Sequence, residues 1–272
     1  MPGPGNTLRL CSGQAWAFFK RDLLSDLSYK FSFFLQVLNI FLTLASFYFL
    51  SKLVGDGILR NYAPFPFLLI GMAVNGYMTT SLYCFAQGIR GNQQAGTLKA
   101  VFSTPISPLS FLLYSSLYPM VRAGMDAALY LLGGVLFGLS LANVHVVSML
   151  VIFTLSVVAF GSIGILSATF TLVFKKGDPL LWLFGGLSWL LGGVFYPLEV
   201  LPPFLQQAAQ LLPITHALDG MRAAVLRGAS PAEILPQIEI LALFSLASVP
   251  LSLLAFVKGV EWTRVSGSLS HL

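Results

Sequence analysis

Long apolar runs separated by short polar breaks set the rhythm of this chain, at residues 31–50, 63–85, 109–139, 144–174, 179–195 and 234–257. A helix needs roughly 20 apolar residues to cross a bilayer core. The pattern therefore predicts an all-α polytopic membrane protein with six transmembrane helices. Helix-start chemistry supports several boundaries. Ser107 before Pro108, Asp178 before Pro179 and Ser230 before Pro231 each place an N-cap side chain ahead of a proline at the first helical position. Ser230 and Glu233 also have capping-box spacing. The fifth run is short because Pro197, and then Pro202 and Pro203, stop it. Residues 196–229 are too polar and too broken to cross, yet they carry Phe204, Leu205, Leu211, Leu212 and Ile214. Two short re-entrant helices in the outer leaflet are expected there, with protein covering their backbone.

Residues 8–30 have a different pattern. Trp16, Phe19, Leu23 and Leu27 fall on one narrow stripe of a helix, with Arg21, Ser25 and Ser28 opposite and Lys20 at the edge. Asp26 and Lys30 are spaced as an i,i+4 pair. This segment reads as an amphipathic helix in the inner interface. No repeat, linker or soluble domain interrupts the chain, so residues 1–272 are expected to form one membrane domain.

Composition agrees. The chain is 56% hydrophobic and 9% charged, with mean hydropathy +0.82, whereas soluble domains carry about 25% charged residues. Such a surface must meet lipid. The net charge of +5 is spread along the chain and leaves no nucleic-acid footprint. Arg9, Lys20, Arg21, Lys30, Arg90, Lys99, Lys175, Lys176, Lys258 and Arg264 fall on one side of a six-span layout. Only Lys52, Arg60, Arg222 and Arg227 fall on the other. This bias puts both termini in the cytoplasm. The opening Met1-Pro2-Gly3-Pro4-Gly5 gives no sign of a cleavable leader.

Candidate chemistry is sparse. Cys11 and Cys84 make no disulfide framework, and His145, His216 and His271 lack partners at metal-ligand spacing. The chain has no phosphate loop with which to hydrolyse ATP. A membrane hydrolase would need a nucleophile beside a base, and His216 with Asp219 is the one place to seek it. Arg122 and Asp126 are four apart within the third span and form an ion pair, serving either helix packing or a substrate contact. Glu239 has Arg222 and Arg227 as possible partners. Two polar stripes, Gln36, Asn39, Thr43 and Ser46 on the first span and Asn75, Thr79 and Tyr83 on the second, face either another helix or a watered cargo path. Gly185 and Gly186, then Gly192 and Gly193 two turns on, would make a face without side chains for close packing, within the subunit or across a dimer seam.

Two stretches carry a family resemblance. At 90–105, Arg90 precedes Gly96-Thr97-Leu98 and then Thr104-Pro105. After the fifth span come Gly192, Gly193, Phe195, Tyr196, Pro197, Glu199, Pro202, Leu212, Pro213, Thr215, Asp219 and Arg222. With the six-span layout and leading amphipathic helix, the chain resembles a permease subunit of the type-2 ABC exporters. It departs from that family in carrying Gln94 and Lys99 where glutamates are usual.

The resemblance implies an ATP-driven exporter in which two copies pair and each binds a separate ATPase subunit. ATP and Mg2+ would sit on that partner, with no cofactor on this chain. Docking would use the cytoplasmic coupling segment 86–106, through Arg90, Gln94, Gly96, Thr97, Leu98, Lys99, Thr104 and Pro105, together with the amphipathic helix. Charge or proline at Thr97 or Leu98 would then uncouple transport without unfolding the chain. The first, second and fifth spans would open a path through lipid for a drug-like molecule, a lipid or a lipid-linked glycan. The setting implied is a prokaryotic inner membrane. An intramembrane lipid-processing enzyme and a passive channel are the alternatives.

Overall fold

The computed structural model describes the backbone of residues 4–54, 63–174 and 179–265, and their side chains except at 4–11, 54 and 179. The side chains of Arg9 and Cys11, together with Arg60, Lys175, Lys176, His271 and the cap expected at Asp178, lie outside the described residues.

Among the described residues there are ten α-helices, one 3-10 turn and no strand. In chain order they are α1 (Pro4–Ser28), α2 (Lys30–Val54), α3 (Pro64–Gln94), α4 (Leu98–Phe102) and α5 (Pro108–Leu136). There follow α6 (Val146–Phe174), α7 (Pro179–Leu191), the 3-10 turn Leu198–Val200, α8 (Pro203–Gln210), α9 (Pro213–Leu226) and α10 (Leu235–Val265). Within these, Lys30–Leu53, Pro64–Gln94, Val146–Phe174 and Leu235–Val265 are long and apolar enough to cross a membrane. At 29 residues α5 matches α6 in length, but it carries Arg122, Asp126 and several hydroxyls. The fifth apolar run yields only the 13-residue α7.

Local chemistry explains the boundaries. Ser107 caps α5 by accepting from the Ser110 N–H at 3.0 Å, with Pro108 at the first helical position. Before α10, Glu233 Oε2 accepts the Ser230 N–H at 2.9 Å, the returning half of a capping box. His145 caps α6 in the forward sense, as Ser107 does for α5, its Nδ1 accepting from the Ser148 N–H at 3.2 Å. The second apolar run ends at 85, but α3 continues to Gln94 because Ala86 and Ile89 keep its inner face apolar and buried.

The centre of the fold is α3. Helices α5 and α6 both pack on it rather than on each other, α2 and α9 lean on its flanks, and α10 lies along α6. The α3–α6 crossing is close because Gly164 has no side chain. A Cβ there would meet the Ser81 carbonyl oxygen and come 2.7 Å from Phe85 Cδ2. Without a hydrophobic drive in lipid, such backbone proximity is what van der Waals packing needs. The two principal apolar clusters follow from this packing. The larger joins Ile70, Met78 and Leu82 to Ile152, Phe160, Ile214 and Leu218. The smaller joins Ile89 and Leu98 to Phe111, Leu112, Leu172 and Phe256. By contrast α2 is largely uncovered, with only 11% of its apolar window buried.

Gly164→Ala should therefore destabilise the protein by about 1–3 kcal/mol through overpacking, read as a lower melting temperature in detergent. Gly76→Ala on the open side of α3, where a Cβ meets nothing within 4 Å, should leave the melt unchanged.

Candidate functional site

Helix α3 leaves the packed body and ends in a turn that presents the segment at 90–105. The Gly96 N–H donates to the Gln93 carbonyl at 3.0 Å and the Thr97 N–H to the Asn92 carbonyl at 3.0 Å. Gly96 itself takes φ +67°, which completes a Schellman helix stop. Asn92 braces this turn from inside: its Nδ2 donates to Gly88 O at 2.8 Å and its Oδ1 accepts from Thr97 Oγ1 at 3.0 Å. The chain then enters α4, whose Leu98 is 3% exposed and belongs to the smaller apolar cluster. Gln94, Gly96, Thr97, Lys99, Thr104 and Pro105 are exposed and Arg90 is half-buried. The result is a small, uncharged-to-basic tongue anchored by the buried Leu98, with Val101 and Phe102 packed beside it.

This changes the expectation for Thr97 and Leu98. Leu98 is an anchor rather than a contact, and Thr97 holds the turn with both its N–H and its hydroxyl. Substitutions at either would disturb the fold of the tongue as well as its surface.

Helix α1 lies against α5, and the same cluster reaches it. Phe111 is the shared ring, with Phe18 of α1 at 5.9 Å and Phe102 of α4 at 6.2 Å. Of the predicted apolar stripe, Phe19 and Leu23 face the protein, whereas Trp16 and Leu27 are exposed. Further along, Arg122 of α5 donates to Asp26 of α1, to Gln36 of α2 and, at 3.1 Å, to Tyr118 Oη. Gln36 Nε2 donates to Asp126 at 2.7 Å, while the predicted Arg122–Asp126 pair is longer, at 3.9 Å. Asp26, assigned by spacing to Lys30, thus turns to Arg122 instead, because α1 ends at Ser28 and the helix path breaks before Lys30.

The two polar stripes divide. Gln36 belongs to the Arg122 cluster and Thr43 lies beside Tyr130, leaving Asn39 and Ser46 exposed. Asn75 is buried, and its Oδ1 has no hydrogen-bond partner among the described residues. Thr79 and Tyr83 line a cavity of about 530 Å³ between α3, α5 and α1. Thr80, Gln87 and Asn92 of α3, Ser115 and Phe111 of α5, and Arg21 of α1 complete much of its wall. Sequence reasoning missed Thr80, Gln87 and Ser115. The helical period running from Tyr83 to Gln87 was the available signal. A second, apolar cavity of about 200 Å³ lies between α3, α5, α6 and α9.

The four glycines do not share one face. Helix α7 stops at Leu191, so Gly192 and Gly193 leave its register. A Cβ at Gly192 would come 2.8 Å from Ile214 of the same subunit, and Gly193 takes φ +71° in the turn that follows. Gly185 lies near Tyr83, and only Gly186 opens outward, on a face with exposed Trp182, Trp189 and Leu190. Beyond this turn, Arg222 is buried, stacked 3.4 Å from the Phe67 ring centroid and donating to the Val194 carbonyl at 3.0 Å. It pins α9 to the start of α3 and to the chain after α7, while Glu239 is exposed. His216 Nε2 lies 2.8 Å from the Gln210 carbonyl, a local contact between α8 and α9.

The tongue, the α1–α5 junction and the Arg222 pin all fall inside the region that matches a known family. Residues 13–226 match the ABC-2 type transporter family. A comparison with curated proteins finds no match. The matched region runs from α1 through α9 and covers most of the chain, and the chain belongs to the ABC-2 type transporter family, a multi-pass membrane component of ABC transporters.

Proposed function

We propose that this chain is the permease half of an ATP-driven exporter, working with a separate ATPase subunit and a second copy of itself. The observation that carries the reading is the exposed tongue at 94–105, fixed by Leu98 to the cluster that also receives Phe18 of α1. A surface held this firmly can pass a push from outside into α3 and α5. Its recognition would rest on shape and hydrogen bonding, since Lys99 and Arg90 are its ionised groups and no carboxylate occurs at 86–106.

Six crossings complete the proposal, formed by α2, α3, α5, α6, α7 and α10, with both termini cytoplasmic in a prokaryotic inner membrane. Helices α8 and α9 re-enter the outer leaflet, their backbone covered by α7 and α6. The open faces of α2 and α7 suit a second copy, because Gly186 lets a neighbouring backbone approach between Trp182 and Trp189. Cargo is amphipathic or hydrophobic, entering beside Thr79 and Tyr83.

Lys99→Glu tests the tongue without touching its anchor. It should lower ATPase stimulation and transport in the native complex about tenfold or more, as for loss of an interface hot spot, with an unchanged melt. Wild-type stimulation and transport would remove the tongue as the coupling surface. Leu98→Asp should instead lower the melt, since an unpaired buried charge costs about 3 kcal/mol or more. For the second copy, Gly186→Cys in a background lacking Cys11 and Cys84 should form a disulfide-linked dimer in native membranes. Failure to cross-link there, with Trp182→Cys and Trp189→Cys also negative, would exclude the α7 seam.

A further inference from the structure

We propose that the cavity between α1, α3 and α5 is a headgroup site that takes a neutral, hydroxyl-rich group and reports its occupancy to the coupling tongue. The proposal rests on the permease reading and names the chemistry of the cargo. Its wall is amphipathic, with hydroxyl and amide groups set among apolar surface, and it is almost free of charge. The side chains of Thr79, Thr80, Tyr83 and Gln87 all line it from α3, Thr79 and Gln87 at its open rim, and none of these side chains bonds to another described residue. Helical threonines can instead bond back to a carbonyl one turn earlier, which removes the hydroxyl from ligand contact. Thr154, Thr169 and Thr263 of this chain do so. Hydroxyls and a primary amide both donate and accept, which matches a sugar ring's hydroxyls in either sense. The half-buried ring of Tyr83 supplies aromatic surface for the sugar ring's C–H face.

A charged headgroup fits poorly. Arg21 is the one ionised residue among those lining the cavity. Its guanidinium is already 2.7 Å from Asp22 and stacked 5.0 Å from the Phe18 ring. A phosphate would meet a cation that is largely neutralised, and a partly buried anion without a partner is costly. At 530 Å³ the space exceeds a single small solute and can hold a headgroup of one or two sugar rings.

Asn92 makes the connection to coupling. It lines the cavity and also carries Thr97 on its Oδ1, so a ligand touching Asn92 acts on the residue that closes the Schellman turn. Occupancy and the posture of the tongue are thereby joined through one side chain.

The experiment uses the full chain in phosphatidylcholine nanodiscs doped with equal fractions of diglucosyl diacylglycerol and phosphatidylglycerol, read by native mass spectrometry. The wild type should retain the glycolipid preferentially. The Thr79→Val, Gln87→Leu double variant should bind it about tenfold more weakly, as expected for losing two net hydrogen bonds. Thr79→Ser should restore binding in part, and a wild-type melt for the double variant separates lost binding from misfolding. Excess maltose distinguishes the sources of the sugar: no displacement supports a lipid-linked glycan, and displacement supports a free one. Equal or stronger retention of phosphatidylglycerol, or full glycolipid retention by the double variant, would overturn the proposal. The chain is measured here without its ATPase, so a negative result leaves the permease reading intact, and failure of the Lys99→Glu test leaves a positive binding result standing.

Discussion

The close approach of α3 to α6 at Gly164 is the constraint on which the rest depends. In lipid, helices gain little from hiding apolar side chains, so association depends on how near their backbones can come. A glycine against the Ser81 carbonyl brings α6 in on one side of α3, and that leaves the other side for α5. Once held on both flanks, α3 behaves as one rod of 31 residues, about 46 Å long at 1.5 Å per residue. Its prolines, Pro64 and Pro66, fall in the first turn, so nothing in its interior invites a kink.

That rod links features that are far apart in function. At its start, Phe67 is gripped by Arg222, which also holds the chain after α7 and carries α9 with it. In its second half, Thr79 to Asn92 wall the polar cavity. At its end, the Gly96 stop turns the chain into α4. A displacement of the tongue relative to α1 would act along or about this axis, and the Arg222 pin is where such a motion would reach the α8–α9 pair. The smaller cluster around Phe111 is complementary, because it joins both α1 and the tongue's own helix α4 to α5.

Much of this was legible in the sequence because hydropathy and capping are local properties. The apolar runs recovered α2, α3, α5, α6 and α10, and the cap at Ser107 recovered the start of α5, whereas Ser230 and Glu233 make their capping contact in a turn and α10 begins only at Leu235. What escaped depended on who meets whom. Asp26 had a plausible local partner in Lys30, but the break after Ser28 turned it towards Arg122 instead. Gln36 looked like a path residue by stripe, and only the packing of α2 on α5 shows that it completes an ion cluster. The glycine pairs assumed a helix that runs to residue 193, whereas α7 ends at Leu191 and the second pair serves a turn. Leu98 sat in a polar-looking segment, and it is buried as part of a cluster whose other members, such as Ile89 of α3, Phe111 of α5 and Phe256 of α10, come from separate elements.

The tongue's composition bears on how it is recognised. A docking surface that relied on carboxylates would be sensitive to salt, since exposed pairs are weak and screened. Here the exposed residues are Gln94, Ala95, Gly96, Thr97, Lys99, Ala100, Ser103, Thr104 and Pro105, small or uncharged apart from one lysine. Their value lies in a backbone fixed by the Schellman turn and by Leu98, since a rigid, preorganised surface loses little entropy when a partner closes on it. Stiffness is also what a lever requires. A tongue that bent under load would dissipate the push before it reached α3, so the same turn that shapes the docking surface is what lets it transmit force.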